Sequence, residues 1–194
     1  RPSDAMAEAH SVPWFPAWGV SMPEPVSDSG DIVALFNEWR PSERWLLLAY
    51  EVACSEVRLW TAWSALRRRE EAGRMVARTC DAEFLRLVSG THQLSTAFER
   101  AGINSGDESM WIVYLPEFES GDGFGETDIP RSTYLDNDSE ATRLIEHLGG
   151  TLLARRPIPS EEGLLRLGAI EDGESIEVSR HEDAYLIHTA LADM

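Results

Sequence analysis

The stretch Ser109-Met110-Trp111-Ile112-Val113-Tyr114-Leu115 decides the fold. In an extended chain Trp111, Val113 and Leu115 fall on one side and Met110, Ile112 and Tyr114 on the other. Both sides are apolar, so the run predicts a central strand covered on two faces. A second run, Trp45 to Cys54, has the continuous apolar and aromatic character of another buried strand. Between the two, Ser55 offers an N-cap to a helix over Glu56 to Glu71, with Leu59, Trp60, Trp63 and Leu66 at helical spacing. Arg67, Arg68 and Arg69 lie near its C-terminal end, where cations complement the helix dipole. Gly73 breaks that helix, and Arg74 to Cys80 reads as a short strand with Met75, Val76 and Ala77 partly buried.

Asp81 then caps a helix that runs to about Ser89, where Gly90 supplies a residue free to adopt positive φ. Thr91 caps the next helix, which carries Leu94, Ala97, Phe98 and Ala101 at i, i+3, i+4 and i+7 and ends at Gly102. Downstream of the central strand, Pro116 to Thr133 reads as a long, acidic, Gly-rich loop. A helix over Asp138 to Leu148, a strand over Thr151 to Ala154 and a short helix over Ser160 to Leu167 come next. Ser179-Arg180-His181-Glu182 is a capping-box pattern opening a last helix with Leu186, Ile187, Ala190 and Leu191. Upstream, Pro2, Pro13, Pro16, Pro23, Pro25 and Pro41 predict an irregular Pro/Trp-rich extension over residues 1–43, relieved only by a short helix from Asp31 to Trp39. The expected architecture is α+β: one domain over 44–194, with a small mixed or antiparallel sheet packed with several short helices.

Length and composition agree with one domain: 194 residues, 43% hydrophobic and 26% charged. The apolar runs are too short to span a membrane, and no basic segment leading into a long apolar one opens the sequence. Two cysteines, Cys54 and Cys80, make no disulfide framework and read as inert buried thiols, which points to a reducing, cytoplasmic setting. All 17 basic residues are Arg, against 34 acids, for a net charge of −17. The imbalance is uneven, because residues 58–100 hold 8 Arg against 5 acids. An anionic partner is expected to land on that basic segment.

No catalytic constellation is present: there is no phosphate-loop motif, no Gly-x-Ser-x-Gly elbow and no His-Glu-x-x-His. Gly121-Asp122-Gly123-Phe124-Gly125 is ringed by carboxylates that repel phosphate, and it reads as a surface loop. His181 and His188, seven apart, share a face only roughly, and no Cys or His cluster has ligand spacing, so no metal or other cofactor is expected. What remains is a surface reader. Ser89-Gly90-Thr91 forms a tight corner between two helices, where helix N-terminal amides accompany Thr91, His92 and Gln93. Amides of that kind attract anions, and His or Gln can read or stack on a base; the bland alternative is a helix–helix turn that binds nothing.

The same segment carries a pattern: Arg78, then Glu83-Phe84-Leu85, Ser89-Gly90, Gln93-Leu94 and Gly102-Ile103, in order with the flanking helix and strand. In this it resembles the small Cgi-type subunit of KEOPS, the complex that makes threonylcarbamoyladenosine at position 37 of tRNA. The PRPK-binding protein family belongs to the same group. The resemblance covers about residues 45–194 and is strongest over 74–115. Three features depart from it: the extension before residue 44, the length of the 116–133 loop, and Leu94 where the family usually has Ile. The resemblance implies a non-catalytic subunit that binds the kinase-like ATPase subunit of the complex and the single-stranded 3′ CCA end of tRNA. By the same resemblance Arg78, Ser89, Gly90, Thr91, His92 and Gln93 lie at the RNA end, with Arg74, Arg86 or Arg100 on phosphates. Tyr185, Leu186 and Leu191 of the last helix are the expected partner interface. The alternative is an adaptor or regulator of the kinase-like subunit that binds protein alone.

Overall fold

Between Pro16 and Pro23 the chain forms β1 (Ala17–Ser21), and this strand lies inside the sheet. The structure, a computed structural model, describes residues 14–118, 129–167 and 180–194. After β1 come α1 (Ser29–Trp39), β2 (Trp45–Ala49), a 3-10 turn (Tyr50–Val52), α2 (Glu56–Ala72), α3 (Cys80–Ser89) and α4 (Leu94–Ala101). The chain continues through β3 (Ser109–Tyr114), α5 (Arg131–Leu148), β4 (Thr151–Leu153), α6 (Glu161–Leu167) and α7 (His181–Asp193). The described residues thus form one small α+β domain of seven helices and a four-stranded sheet, antiparallel throughout and ordered β2-β3-β1-β4.

The alternation in β3 divides the core as its sequence demands. Trp111 and Val113 face a core shared with Leu59, Trp63, Phe84, Val88 and Tyr185, on the side of α2, α3 and α7. Met110 and Ile112 face the other core, with Trp18, Phe36, Leu144 and Ile145. A buried strand must also satisfy its backbone groups along both edges, and β1 is the second neighbour of β3: Ala17 pairs with Val113 and Ser21 with Ser109. The boundary expected at residue 43 is therefore wrong, because the supposed extension supplies a central strand. Its prolines flank the five-residue strand instead of interrupting the ladder. The segment is tied down further by Arg156, which binds Glu56 and donates to the carbonyls of Phe15 and Ala17.

Other differences have local causes. The strand expected to reach Cys54 stops at Ala49, paired with Met110 near the start of β3, and the chain passes at once into the 3-10 turn at Tyr50. Residues 74–79 form no strand, and the buried Ala77 amide donates to Glu83 Oε2. α3 is capped at Thr79, not Asp81, and α4 at Gln93, not Thr91. α5 starts seven residues before Asp138, because Tyr134 stacks on Trp18 and anchors an otherwise polar first turn. Its start also shortens the expected 116–133 loop, of which residues 119–128 lie outside the described residues, as does Ser179 of the expected capping box. No helix among the described residues is long and apolar enough to cross a membrane.

Candidate functional site

α3 ends because Gly90 takes φ +69°, and the amides of Gly90 and Thr91 turn back onto carbonyls of Arg86 and Leu87. These two amides are thus spent closing the helix behind them. Ser89 is fully buried: its hydroxyl donates to the Arg86 carbonyl, and its own carbonyl accepts from His188 Nε2 at 2.6 Å. The His188 ring lies so close over Gly90 that an added Cβ would overlap it. Ser89 and Gly90 are therefore docking points for α7. Solvent reaches the corner only from Thr91 onward. Thr91 is half-buried, His92 and Gln93 are exposed, and Thr91 Oγ1 accepts the Gln93 amide at 3.1 Å. Beyond them, the first turn of α4 presents amides with no intrahelical acceptor.

The arginines divide in the same way. Arg86 is fully buried, paired with Glu83, and donates to the carbonyls of Thr91 at 3.3 Å and Ala192 at 2.8 Å. It makes the corner rigid and is not placed to meet a phosphate, contrary to expectation. Arg58 is also fully buried; it donates to Val88 O, Tyr185 O and Thr189 Oγ1, and burial pushes its pKa down to about 10. Arg67 is buried against Glu70. Much of the positive charge of the 58–100 segment is consequently inside the protein. Arg74 and Arg78 are exposed and Arg100 is half-exposed, close enough to His188 to act on it electrostatically. Arg78 precedes α3, so that helix of 10 residues separates it from the corner, a length of about 15 Å at the usual rise.

The structure brings a different set to the corner. Arg86 joins Thr91 to the last turn of α7, and in the same turn Asp193 O accepts from Arg69 at 2.7 Å. Arg68, Arg69 and Arg74 line a groove there. Arg68 and Arg69 stood in the sequence as a dipole-complementing run at a helix end; nothing in that run told which arginine faces inward and which faces the groove.

The expected partner interface also changes. Tyr185 is fully buried, its hydroxyl donating to Glu51 O at 2.8 Å. Leu186 is half-buried, while Leu191 and Ile187 are exposed. Buried Arg58 needs oxygen acceptors, so α7 turns Tyr185 and Thr189 inward and its aliphatic residues outward. His181 is buried near Glu161, away from His188 on Ser89, and no three His, Cys, Asp or Glu side chains among the described residues come together as a metal site. Burial pushes the thiols of Cys54 and Cys80 up to about 12 and about 11, which keeps them protonated and unreactive. The Gly121–Gly125 loop lies outside the described residues.

Burial, aided by the nearby charges of Arg58 and Arg100, holds His188 below the ordinary imidazole pKa despite its hydrogen bonds to Ser89 and Leu167 carbonyls. A base whose folded pKa is depressed contributes stability above its unfolded pKa of about 6.5, and that contribution is lost as pH falls through the folded value. The stability gap between wild type and His188→Gln is therefore expected to narrow from pH 7.5 to pH 5. Urea unfolding at each pH measures it, and a gap that widens on acidification would contradict the assignment.

A scan against protein-family models finds no match, and no curated protein matches the sequence.

Proposed function

We propose that this protein is a non-catalytic subunit of a KEOPS-type complex. In this reading it binds the 3′ CCA end of tRNA and the kinase-like ATPase subunit, and so supports threonylcarbamoyladenosine formation at position 37. The motif from Arg78 to Ile103 is the ground for the family, and one observation carries the RNA role. The exposed Thr91-His92-Gln93 segment is tied by buried Arg86 at Thr91 and follows Ser89, which half-buried His188 holds, and the last turn of α7 links it to the groove arginines. A preorganised polar corner beside local cations suits a single-stranded end, whose bases are splayed and readable. The RNA-reading residues are Thr91, His92 and Gln93, with Arg74 and Arg100 as nearby charges. The partner-binding face of α7 is its exposed aliphatic side, Ile187 and Leu191.

Gln93→Ala is expected to weaken binding to CCA-ended tRNA by about five- to a hundredfold, the range of one lost base contact. It should leave the weaker binding to tRNA trimmed of CCA unchanged. Equal losses for both RNAs, measured by equilibrium titration, would reject the assignment. A second reading, a protein-only adaptor, draws on a different observation. An apolar groove of about 270 Å³ between α1, α3 and α4 is lined by Val33, Phe36, Leu85 and the half-exposed Phe98. Absence of tRNA binding with retained binding of the kinase-like subunit would select it.

A further inference from the structure

The C-terminal end of α2 delivers Arg68 and Arg69, Gly73 turns the chain at φ +64°, and Arg74 follows. With Ala72, Asp193 and Met194 these side chains enclose a groove of about 520 Å³. One carboxylate bridges two of its arginines: Asp193 Oδ1 accepts from Arg69 Nε at 2.8 Å and Oδ2 from Arg68 Nη2 at 3.2 Å. Arg74 is exposed and makes no ion pair among the described residues. Three guanidinium groups thus face one carboxylate, a local excess of cation on a chain of net charge −17. Two oxygens of one anion shared between neighbouring guanidinium groups is also how a phosphate is held.

The Asp193 carboxylate is free to leave. Arg68 is half-exposed and Asp193 is partly exposed, so the 3.2 Å arm of that bridge opens to water, and only the 2.8 Å arm to the largely buried Arg69 has to be exchanged for the phosphate. The end of α7 keeps its position without the bridge, because Arg69 also holds the Asp193 main-chain carbonyl and Arg86 holds that of Ala192. We infer that this groove is a seat for a phosphate of the RNA strand leaving the Thr91–Gln93 corner, and that the Asp193 carboxylate is its resident counter-ion, displaced when the phosphate enters. The inference rests on the proposed RNA-binding role and extends it to a residue that opposes binding. Exchange of one anion for another on the same donors cancels part of the gain, so the groove acts as a damper on non-specific polyanion binding while still adding to affinity. It also lowers salt sensitivity: the displaced carboxylate stays on the protein and recruits part of the cation atmosphere that the phosphate releases.

The test is a salt series of equilibrium titrations with a CCA-ended tRNA and its trimmed form, using the full chain as wild type, Asp193→Asn, Arg68→Ala/Arg74→Ala and Gln93→Ala. Asp193→Asn keeps the hydrogen-bond acceptor and loses the charge. It is expected to bind about two- to fivefold tighter at low salt, the range of an exposed ion-pair competitor, with a steeper fall of affinity as salt rises. The double arginine variant changes two exposed side chains, is expected to fold normally, and should bind both RNAs more weakly with a shallower salt dependence. Unchanged or weaker binding by a folded Asp193→Asn, or full affinity in the arginine variant, overturns the phosphate seat while CCA dependence through Gln93 still upholds the corner. Wild type that binds no RNA overturns the corner and takes the groove with it.

Discussion

Gly163→Ala is expected to be the most damaging single methyl addition in this protein. In an exposed helix the same change gains about 1 kcal/mol, since alanine is the better helix former. Here the sign reverses. α6 lies against the 3-10 turn with Gly163 at the contact, and a Cβ there would overlap both the Tyr185 hydroxyl and the Glu51 carbonyl. One of those atoms is main chain, inside a turn whose carbonyl already accepts from Tyr185. Neither can move without surrendering that bond, so the loss should reach or exceed the upper end of the ~1–3 kcal/mol typical of overpacking. Urea unfolding measures it. Adding Tyr185→Phe removes one of the two overlaps, so the double variant should lose less than the sum of the singles. A Gly163→Ala protein as stable as wild type would mean that α6 does not sit against the turn.

Arg58→Met should cost nearly as much, for a different reason. The methionine stem fills much of the same space but donates nothing. Burial of the guanidinium is itself unfavourable, as its pKa of about 10 records, and the substitution relieves that cost. Against it stand the buried carbonyls of Val52 and Val88 and the Thr189 hydroxyl, all of which Arg58 serves. Two or three orphaned acceptors at about 1–3 kcal/mol each outweigh the recovered desolvation. A net loss of about 2–4 kcal/mol is expected on that balance. Because Arg58 links α2 and α3 to α7, amide exchange should accelerate first in α7, which makes the variant distinguishable from a general loosening. Arg58→Lys should recover only part, since one ammonium cannot span three acceptors in a planar fork. A loss below about 1 kcal/mol would show that water replaces the guanidinium.

How far the fold was legible depended on whether a signal was local. The alternation in Ser109–Leu115, the Ser55 cap and the glycine stops at 73 and 90 all appear where they were read. Each rests on a residue and its immediate neighbours, as a cap, a positive φ or a period of two does. β1 was missed because its five residues sit among prolines and are held by Val113, Leu153 and Arg156, all far along the chain. The candidate site divides similarly. The Gly90 corner was visible as a helix stop, whereas the burial of Ser89 depends on His188, and that of Arg86 on Glu83, Thr91 and Ala192.

Periodicity and the charge count were enough to specify an α+β domain with a two-faced central strand, and to place an arginine-rich segment on an acidic chain. Which of those arginines meet solvent was settled by packing. A buried guanidinium is tolerable only where carbonyls or carboxylates from several elements converge on it, and such convergence exists only once α2, α3 and α7 are assembled.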